Sequence, residues 1–312
     1  MPAREIQNSF LQDLSDSLAN IREQVGRSVV GVYARRRLPS SGFVWAPGII
    51  VTAAHTIRRD RDIQVLLPAG GTIEATLAGQ DPGSDLAVLK IADTDIPAIE
   101  RGESDTLRAG NLVLALARLR SDHVSLDYGL VAAVGAAWRT WRGAEIDRLV
   151  ALDGGLRPGF SGGPIADAGG RVVGMGTSAL ARGSGVVIPL PTIAIVAEEL
   201  LTRGQISRGY LGLGMQPVKL PDMVVTELSL GTPNGLLVAS VAAGGPAEQA
   251  GIQVGDVLLT LAGQPCTDTA DMLAALARTR AATALTAEFV RGGQRRAVQI
   301  MLGERPRWRH CG

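Results

Sequence analysis

Between Val29 and Pro191 the sequence is a succession of short apolar, β-branched runs, each followed within a few residues by Gly, Pro or Asp. Many short strands at close spacing, with no long helices between them, predict antiparallel barrels or a sandwich. The strand-rich stretch includes the runs VVGVY, IQVLL, NLVLALA and GVVIPLP.

Two helical patterns flank the strand-rich stretch. In residues 1–25 an apolar residue recurs every third or fourth position, which predicts an amphipathic helix that packs on its own domain or contacts another subunit. The second helix is predicted over 191–202 and closes a domain of residues 26–202. The apolar positions of the first helix are Ile6, Phe10, Leu14, Leu18, Ile21 and Val25.

A second, smaller module follows the strand-rich domain. Residues 203–209, RGQISRG, are polar and interrupted by glycine, which is typical of a linker. Residues 210–304 alternate strands with a helix predicted from Asp271 to Arg280, and a final hairpin turns at Gly292-Gly293. The tail 305–312 has no pattern.

Composition excludes several classes of function. The 312 residues are 46% hydrophobic and 20% charged, as in soluble globular proteins, and the net charge of +1 gives no support for a nucleic-acid partner. The triplet Arg35-Arg36-Arg37 is interpreted as a solvated loop tip. Three scattered histidines and two distant cysteines do not have metal-ligand spacing, and no GxxxxGK[ST] motif is present, so no metal or cofactor is predicted.

The predicted location of the protein depends on what the sequence lacks. Cys266 and Cys311 cannot form a disulfide framework, which favours a reducing compartment. Charged residues run through the N-terminus without an apolar stretch of the secretory type, and the apolar runs are too short to span a bilayer. We therefore expect a cytoplasmic protein without a membrane partner.

Three residues in separate motifs could carry chemistry. Ser161 lies in PGFSGGP, His55 directly follows an apolar strand, and Asp85 lies in GSDLAVLK. A serine hydroxyl needs a base within hydrogen-bond reach and donors for the oxyanion, which the amides of Gly159 and Ser161 could supply. Taken singly, these side chains also fit a turn cap, a core histidine and a loop hydroxyl.

Together, the motifs resemble a known family. SSGFVWAPGIIVTAAHTI, AGQDPGSDLAVLKI, GESDTLRAGNLVLALA and RPGFSGGP are similar to successive blocks of the HtrA (Deg) family of chymotrypsin-fold serine proteases. YLGLGMQ and GGPAEQAGIQVGDVLLTLAGQP resemble the PDZ domain that follows the protease in that family. The resemblance implies a mainly β fold, with a chymotrypsin-like double β-barrel, an N-terminal helix and a PDZ-like α+β domain.

The resemblance also implies roles. His55 would be general base and then acid, Asp85 the carboxylate that orients it, Ser161 the nucleophile, and the amides of Gly159 and Ser161 the oxyanion hole. The implied function is an ATP-independent serine endopeptidase that cleaves unfolded or damaged proteins and assembles as a homotrimer. The alternative is a latent or inactive protease-fold protein that acts as a PDZ binding or chaperone module.

Specificity is implied at two places. Gly155, six residues before Ser161, would lie at the base of the pocket for the residue preceding the scissile bond (P1). Without a carboxylate at residue 155, Lys and Arg are disfavoured at P1. Val186 and Val187 match the pocket wall and suggest small or medium aliphatic P1 residues. In the PDZ-like module, the amides of Leu211, Gly212 and Leu213 match the loop that captures a peptide C-terminus.

Phe160 departs from the family, which most often has Asn immediately before the nucleophile. An aromatic ring beside the oxyanion hole would narrow the leaving-group side or hold the loop in a resting conformation. Our hypothesis at this point is that Phe160 shifts the preference for residues after the scissile bond or lowers basal activity.

Overall fold

The computed structural model describes residues 2–35, 38–92, 95–120, 123–181, 183–206, 209–277, 279 and 282–304. Residues 207–208 of the predicted linker, the end of the predicted helix at Arg280 and the tail 305–312 lie outside the described residues. Two compact units are present, one formed by Met1–Thr140 and Glu145–Ile206, the other by Trp141–Ala144 and Ser207–Gly312.

Six strands of the first unit close into a barrel in the order β1-β2-β3-β6-β5-β4. The β-branched runs alternate their side chains between two buried surfaces, so that in β3 Ile50 lies in the barrel interior and Val51 in a separate cluster outside it. The strands are β1 (Val29–Tyr33), β2 (Ser40–Ala46), β3 (Ile49–Ala53), β4 (Ile63–Leu66), β5 (Thr72–Asp81) and β6 (Leu86–Ile91).

A second closed barrel follows in the order β11-β14-β13-β12-β7-β8, and a two-stranded ladder of β9 and β10 lies between β8 and β11 in the chain. The strands of this barrel are β7 (Leu112–Ala117), β8 (Ser125–Gly135), β11 (Leu149–Leu152), β12 (Pro164–Asp167), β13 (Val172–Thr177) and β14 (Val186–Pro189). The strands of the ladder are β9 (Trp138–Arg139) and β10 (Glu145–Ile146).

One apolar cluster joins the two barrels and both helices of this unit. Val51 and Val88 from the first barrel share it with Leu114 and Ile188 from the second. Helices α1 (Pro2–Gly26) and α2 (Leu190–Arg203) add Ile21, Val25, Ile193 and Leu200 to the same cluster. The predicted mainly β fold class, with an N-terminal helix and a double barrel, is confirmed.

The second unit is a six-stranded antiparallel sheet with short helices. β16-β17-β18-β20-β21 follow one another in it, β19 pairs with β18, and β15 and β22 form a separate ladder. The elements are β15 (Gly209–Tyr210), β16 (Leu213–Lys219), α3 (Asp222–Glu227), β17 (Asn234–Val241), α4 (Pro246–Gln249), β18 (Val257–Leu261), β19 (Gln264–Pro265), α5 (Thr269–Ala277), β20 (Ala284–Arg291), β21 (Gln294–Met301) and β22 (Gly303–Glu304).

The β20–β21 hairpin turns at Gly292-Gly293, as the sequence predicts, with φ of +56° and +77° at these two residues. Positive φ at both positions is what a tight two-residue hairpin turn requires. In the described part of the chain, no helix is both long and apolar enough to cross a membrane.

Candidate active site

His55 and Asp85 are both held by the first barrel. His55 lies in a short 3-10 helix, Ala54–Thr56, that directly follows β3, while Asp85 lies in the turn between β5 and β6. The buried Asp85 carboxylate accepts the His55 backbone N–H through Oδ1 at 2.8 Å and the imidazole Nδ1–H through Oδ2 at 2.8 Å. This pairing fixes the ring orientation and leaves Nε2 free of the proton in the neutral tautomer.

A third bond to Asp85 comes from the second barrel. The Thr177 hydroxyl, at the end of β13, donates to Asp85 Oδ2 at 2.5 Å and accepts the backbone N–H of Ala179 at 3.0 Å. The carboxylate is therefore buried with three hydrogen bonds, which a charged group requires in an apolar environment. Sequence reasoning did not single out Thr177.

Ser161 follows a tight turn in the loop between β11 and β12. The amide of Phe160 donates to Arg157 O at 3.1 Å and φ of Gly159 is +91°, the features of a type II β-turn with Pro158 and Gly159 at its centre. In the described part of the chain, no hydrogen bond is donated by the amides of Gly159 or Ser161. Two unpaired donors thus flank the serine in a buried loop.

The buried side chain of Ser41, in β2, binds this loop to the first barrel. Its hydroxyl donates to Gly159 O at 2.9 Å and accepts the Arg118 amide at 3.0 Å, and its backbone N–H donates to Ser161 O at 3.3 Å. Gly162 has φ of +88°, and a Cβ there would lie 2.2 Å from Ser41 O, so only glycine fits. The sequence alone does not identify Ser41 as part of the site.

The Ser161 hydroxyl is bonded to Ser178, which lies just beyond β13. The two hydroxyl oxygens are 3.1 Å apart, and the Ser178 backbone N–H donates to Ser161 Oγ at 3.3 Å. Of the hydrogen bonds formed by the described residues, none joins Ser161 to His55. In this state the polar contacts of the Ser161 hydroxyl are with the hydroxyl and the backbone N–H of Ser178.

Phe160 does not face the cleft. Its ring is 4% exposed and packs among apolar side chains of the second barrel, including Leu107, Val113 and Ile165. The guanidinium of Arg157 lies 5.1 Å from the ring centroid and forms an ion pair with Asp127 at 2.6 Å. The expectation that the ring narrows the leaving-group side is wrong, because the turn directs the side chain into the barrel interior.

The three residues predicted to form the P1 pocket differ in exposure. Gly155 is exposed, and a Cβ there would meet only Gly183 O, at 3.8 Å. Val186 is buried in the cluster between the barrels and Val187 in the interior of the second barrel. β14 begins next to the Gly155 segment, since Gly185 N donates to Gly154 O at 2.8 Å.

In the second unit, Leu211, Gly212 and Leu213 lead into β16. The carbonyls of Leu211 and Gly212 accept Ala247 N at 2.9 Å and Ala242 N at 2.8 Å. Within the described ranges, neither amide of Leu211 or Gly212 donates a hydrogen bond. With φ of +78° at Gly212, successive amides can converge on one anion.

Other titratable groups lie apart from this chemistry. His123 is exposed. Burial raises the pKa of the Cys266 thiol to about 11, so it stays protonated near neutral pH. The described residues contain no group of three or more His, Cys, Asp or Glu that could hold a metal ion.

Comparisons with known proteins identify both units by family. The Trypsin-like peptidase domain family matches residues 40–175, and the PDZ domain family matches residues 237–291. The first match contains the His55, Asp85 and Ser161 positions.

Curated relatives are named "Probable periplasmic serine endoprotease DegP-like". The relative from Pseudomonas fulva is 34% identical over 85% of this chain and 56% of its own length, and that from Pseudomonas savastanoi pv. phaseolicola is 32% identical over 98% and 66%. The chain therefore spans 56% and 66% of the length of these two relatives.

Solved structures match over nearly the whole chain. The serine endoprotease from Yersinia pestis is 30% identical, covers 93% of this chain and 98% of its own, and has a TM-score of 0.70. The HtrA-type protease AlgW, solved with a tripeptide, is 30% identical over 93% and 97% with a TM-score of 0.66, and it was also solved with a decapeptide.

The predicted cytoplasmic location is wrong. The curated relatives are named periplasmic, which points to the periplasm. The prediction relied on the absence of a leader and of a disulfide framework, and neither absence excludes export.

Phe160→Asn is expected to lower the free energy of unfolding by about 3 kcal/mol or more, because it removes a buried ring, leaves a cavity and buries an amide. Urea unfolding measures the change. Phe160→Leu keeps an apolar side chain and should cost about 1 kcal/mol. An Asn variant as stable as the native protein would contradict this role for the ring.

Proposed function

Since the chain belongs to the HtrA family of serine endoproteases, we propose that it is an ATP-independent serine endopeptidase acting on unfolded or damaged proteins. The observation that carries this is the pair of unpaired amides at Gly159 and Ser161 beside a His55–Asp85 hydrogen bond. Donors fixed where an oxyanion develops are a principal source of transition-state stabilisation in acyl transfer.

The proposed mechanism proceeds through an acyl-enzyme. His55 removes the proton from Ser161 Oγ, and this oxygen attacks the scissile carbonyl carbon. The carbonyl electron pair becomes an oxyanion that accepts hydrogen bonds from Gly159 and Ser161. His55 then gives its proton to the leaving amine as the C–N bond breaks. Water, deprotonated by His55, attacks the acyl carbon, and the ester bond to Ser161 Oγ breaks as this oxygen takes the proton back from His55. Asp85 holds the imidazole and stabilises its cationic form.

Labelling with a fluorophosphonate tests this function. The native protein should become covalently labelled, and Ser161→Ala should not. Asp85→Asn should lower the labelling rate by about 10⁴, because the imidazole would be held in the wrong tautomer. The rate is followed by gel fluorescence or intact-protein mass spectrometry.

The matched control is Ser104→Ala, which removes another buried hydroxyl of the same unit but lies outside the catalytic loop. It should label like the native protein if it folds, as checked by circular dichroism. A native chain that stays unlabelled, even with an unfolded substrate present, would indicate the binding or chaperone module instead.

For P1 we propose small or medium aliphatic residues, with Gly155 at the pocket base and Val186 and Val187 in the segment that walls the pocket. In support, residue 155 has no carboxylate to pair with Lys or Arg and has open space around it. Val186 and Val187 are both buried apolar residues of β14.

Gly155→Asp is expected to create cleavage after Lys and Arg, because the new carboxylate can pair with a cationic P1 side chain. Mass spectrometry of the products from a reduced, unfolded protein gives the P1 residues. Gly155→Asn, of equal size but neutral, should not shift them. Mostly Lys or Arg at P1 in the native digest would rule out the proposed pocket.

The second unit is proposed to bind peptide C-termini at Leu211, Gly212 and Leu213. The unpaired amides of Leu211 and Gly212 offer donors for a carboxylate, and β16 lies at an edge of the sheet where a peptide strand can add. Peptide binding by this unit also fits its PDZ domain match.

A peptide with a free C-terminus should bind at least about tenfold more tightly than the same peptide with a C-terminal amide, since hydrogen bonds to a charged group are worth about 1.5–3 kcal/mol. Fluorescence anisotropy measures both affinities. Gly212→Ala strains the turn and should weaken binding. Gly231→Ala, in open space of the same unit, should not. Equal affinity for the two peptides would refute carboxylate capture.

The proposed domain organisation is an N-terminal helix over 1–25, a protease domain over 26–202, a linker over 203–209 and a PDZ domain over 210–304. We also propose a homotrimer in which the first helix contacts another subunit. Exposed Phe10, Leu11 and Leu14 on that helix support such a contact.

A further inference from the structure

Two loops of the first barrel bring arginines together beside His55. One loop follows β1 and contains Arg35, and the other follows the 3-10 helix of His55 and contains Arg58, Arg59 and Arg61. We refer to these four arginines as the basic rim. Arg36 and Arg37 of the same sequence triplet lie outside the described residues.

Hydrogen bonds hold the two loops against each other. Arg58 N donates to Ala34 O at 3.0 Å, and the Arg59 guanidinium donates to Tyr33 O at 2.9 Å. Arg35 is turned back on its own loop, donating to Leu38 O at 2.5 Å. Its pKa is lowered by burial and by the positive charge of Arg58, which marks the two as electrostatic neighbours.

The described arginines of these loops are not balanced by ion pairs with other described residues. Residues 33–39 and 57–62 hold six arginines and two aspartates, a net charge of +4 in a chain whose total is +1. Among ion pairs between described residues, none includes an arginine of the basic rim. Holding like charges together is unfavourable, so a bound anion would relieve the repulsion.

The position of the basic rim in the chain indicates which part of a substrate it could contact, the part before or the part after the scissile bond. Arg58 is three residues beyond His55, and the Arg35 loop continues into Ser41, which bonds Gly159 O and Ser161 O. In the proposed reaction His55 gives its proton to the leaving amine. The substrate segment that follows the scissile bond would therefore start next to His55, and the loop that bears Arg58 and Arg61 begins directly after the short helix of His55.

We propose that the basic rim is a subsite for acidic residues in the first few positions after the scissile bond. This specificity rests on the proposed endopeptidase function. Arginine presents a planar fork of donors that matches a carboxylate, and its charge is fixed across the working pH range. The preferred substrates are then unfolded segments in which Asp or Glu follows the cleaved bond.

Two fluorogenic peptides test the proposal, identical before the scissile bond and carrying Glu-Glu or Gln-Gln after it. The ratio of their kcat/KM values is expected to be about five to ten at low salt, the range of one or two partly exposed ion pairs, and to fall as salt screens them. In Arg58→Gln/Arg61→Gln the ratio should fall to about one. In Arg58→Glu/Arg61→Glu it should invert, and a Lys-Lys peptide should become the best of the three.

Arg108→Gln is the matched control, because it neutralises an exposed arginine of the same unit and should keep the native ratio. Melting temperatures confirm that all variants fold. A native ratio near one, or a preference for Glu-Glu that survives Arg58→Gln/Arg61→Gln, would overturn the proposal.

Binding to Ser161→Ala separates this proposal from the proposed function. Anisotropy of the two labelled peptides on that variant should show the same preference without any cleavage. If the Glu-Glu peptide binds more tightly but the native chain is not labelled by the fluorophosphonate, the basic rim is supported as a binding site for acidic residues and the endopeptidase function is refuted. If the native chain is labelled and cleaves both peptides without a charge preference, the endopeptidase function is supported and the proposed role of the basic rim is refuted.

Discussion

The contact between the two barrels at Ser41 is the constraint on which the site depends. His55 and Asp85 belong to the first barrel and Ser161 to the second. The positions of the three side chains relative to one another therefore depend on how the two barrels pack together. The apolar cluster there supplies most of the burial, but dispersion and the hydrophobic effect have little directionality. Hydrogen bonds set the orientation.

Each barrel contributes a side chain that hydrogen-bonds to the other barrel. Ser41 reaches from the first barrel to Gly159 and Ser161, and Thr177 reaches from the second barrel to Asp85. Each is buried, so a displacement that breaks one would leave polar atoms unpaired at about 1–3 kcal/mol each. Penalties of this kind oppose sliding of one barrel against the other and so fix the Ser161 loop relative to the His55 imidazole.

The sequence predicts local features well and long-range contacts poorly. The strand-rich region, the helix that closes it and the Gly292-Gly293 turn follow from periodicity and turn chemistry, and the motifs identify His55, Asp85 and Ser161 as candidates. Ser41 and Thr177 escape notice because their partners are 118 and 92 residues away in the chain. Phe160 is misjudged for a related reason: the ring direction is set by the turn at Gly159 and by Leu107 and Ile165, which come from other strands and loops.

Both units share one backbone feature. Each has amides that donate no hydrogen bond to another described residue, next to a glycine with positive φ, which is Gly159 in the first unit and Gly212 in the second. Leaving a buried N–H unpaired costs stability, so such amides persist only where surrounding bonds fix the backbone. In the first unit Ser41 fixes Gly159 O, and in the second the Ala242 amide fixes Gly212 O. In each case the carbonyl of the glycine is held in place. The proposed function gives the amides at these two turns a negative oxygen to bind, a developing oxyanion in the first unit and a peptide carboxylate in the second.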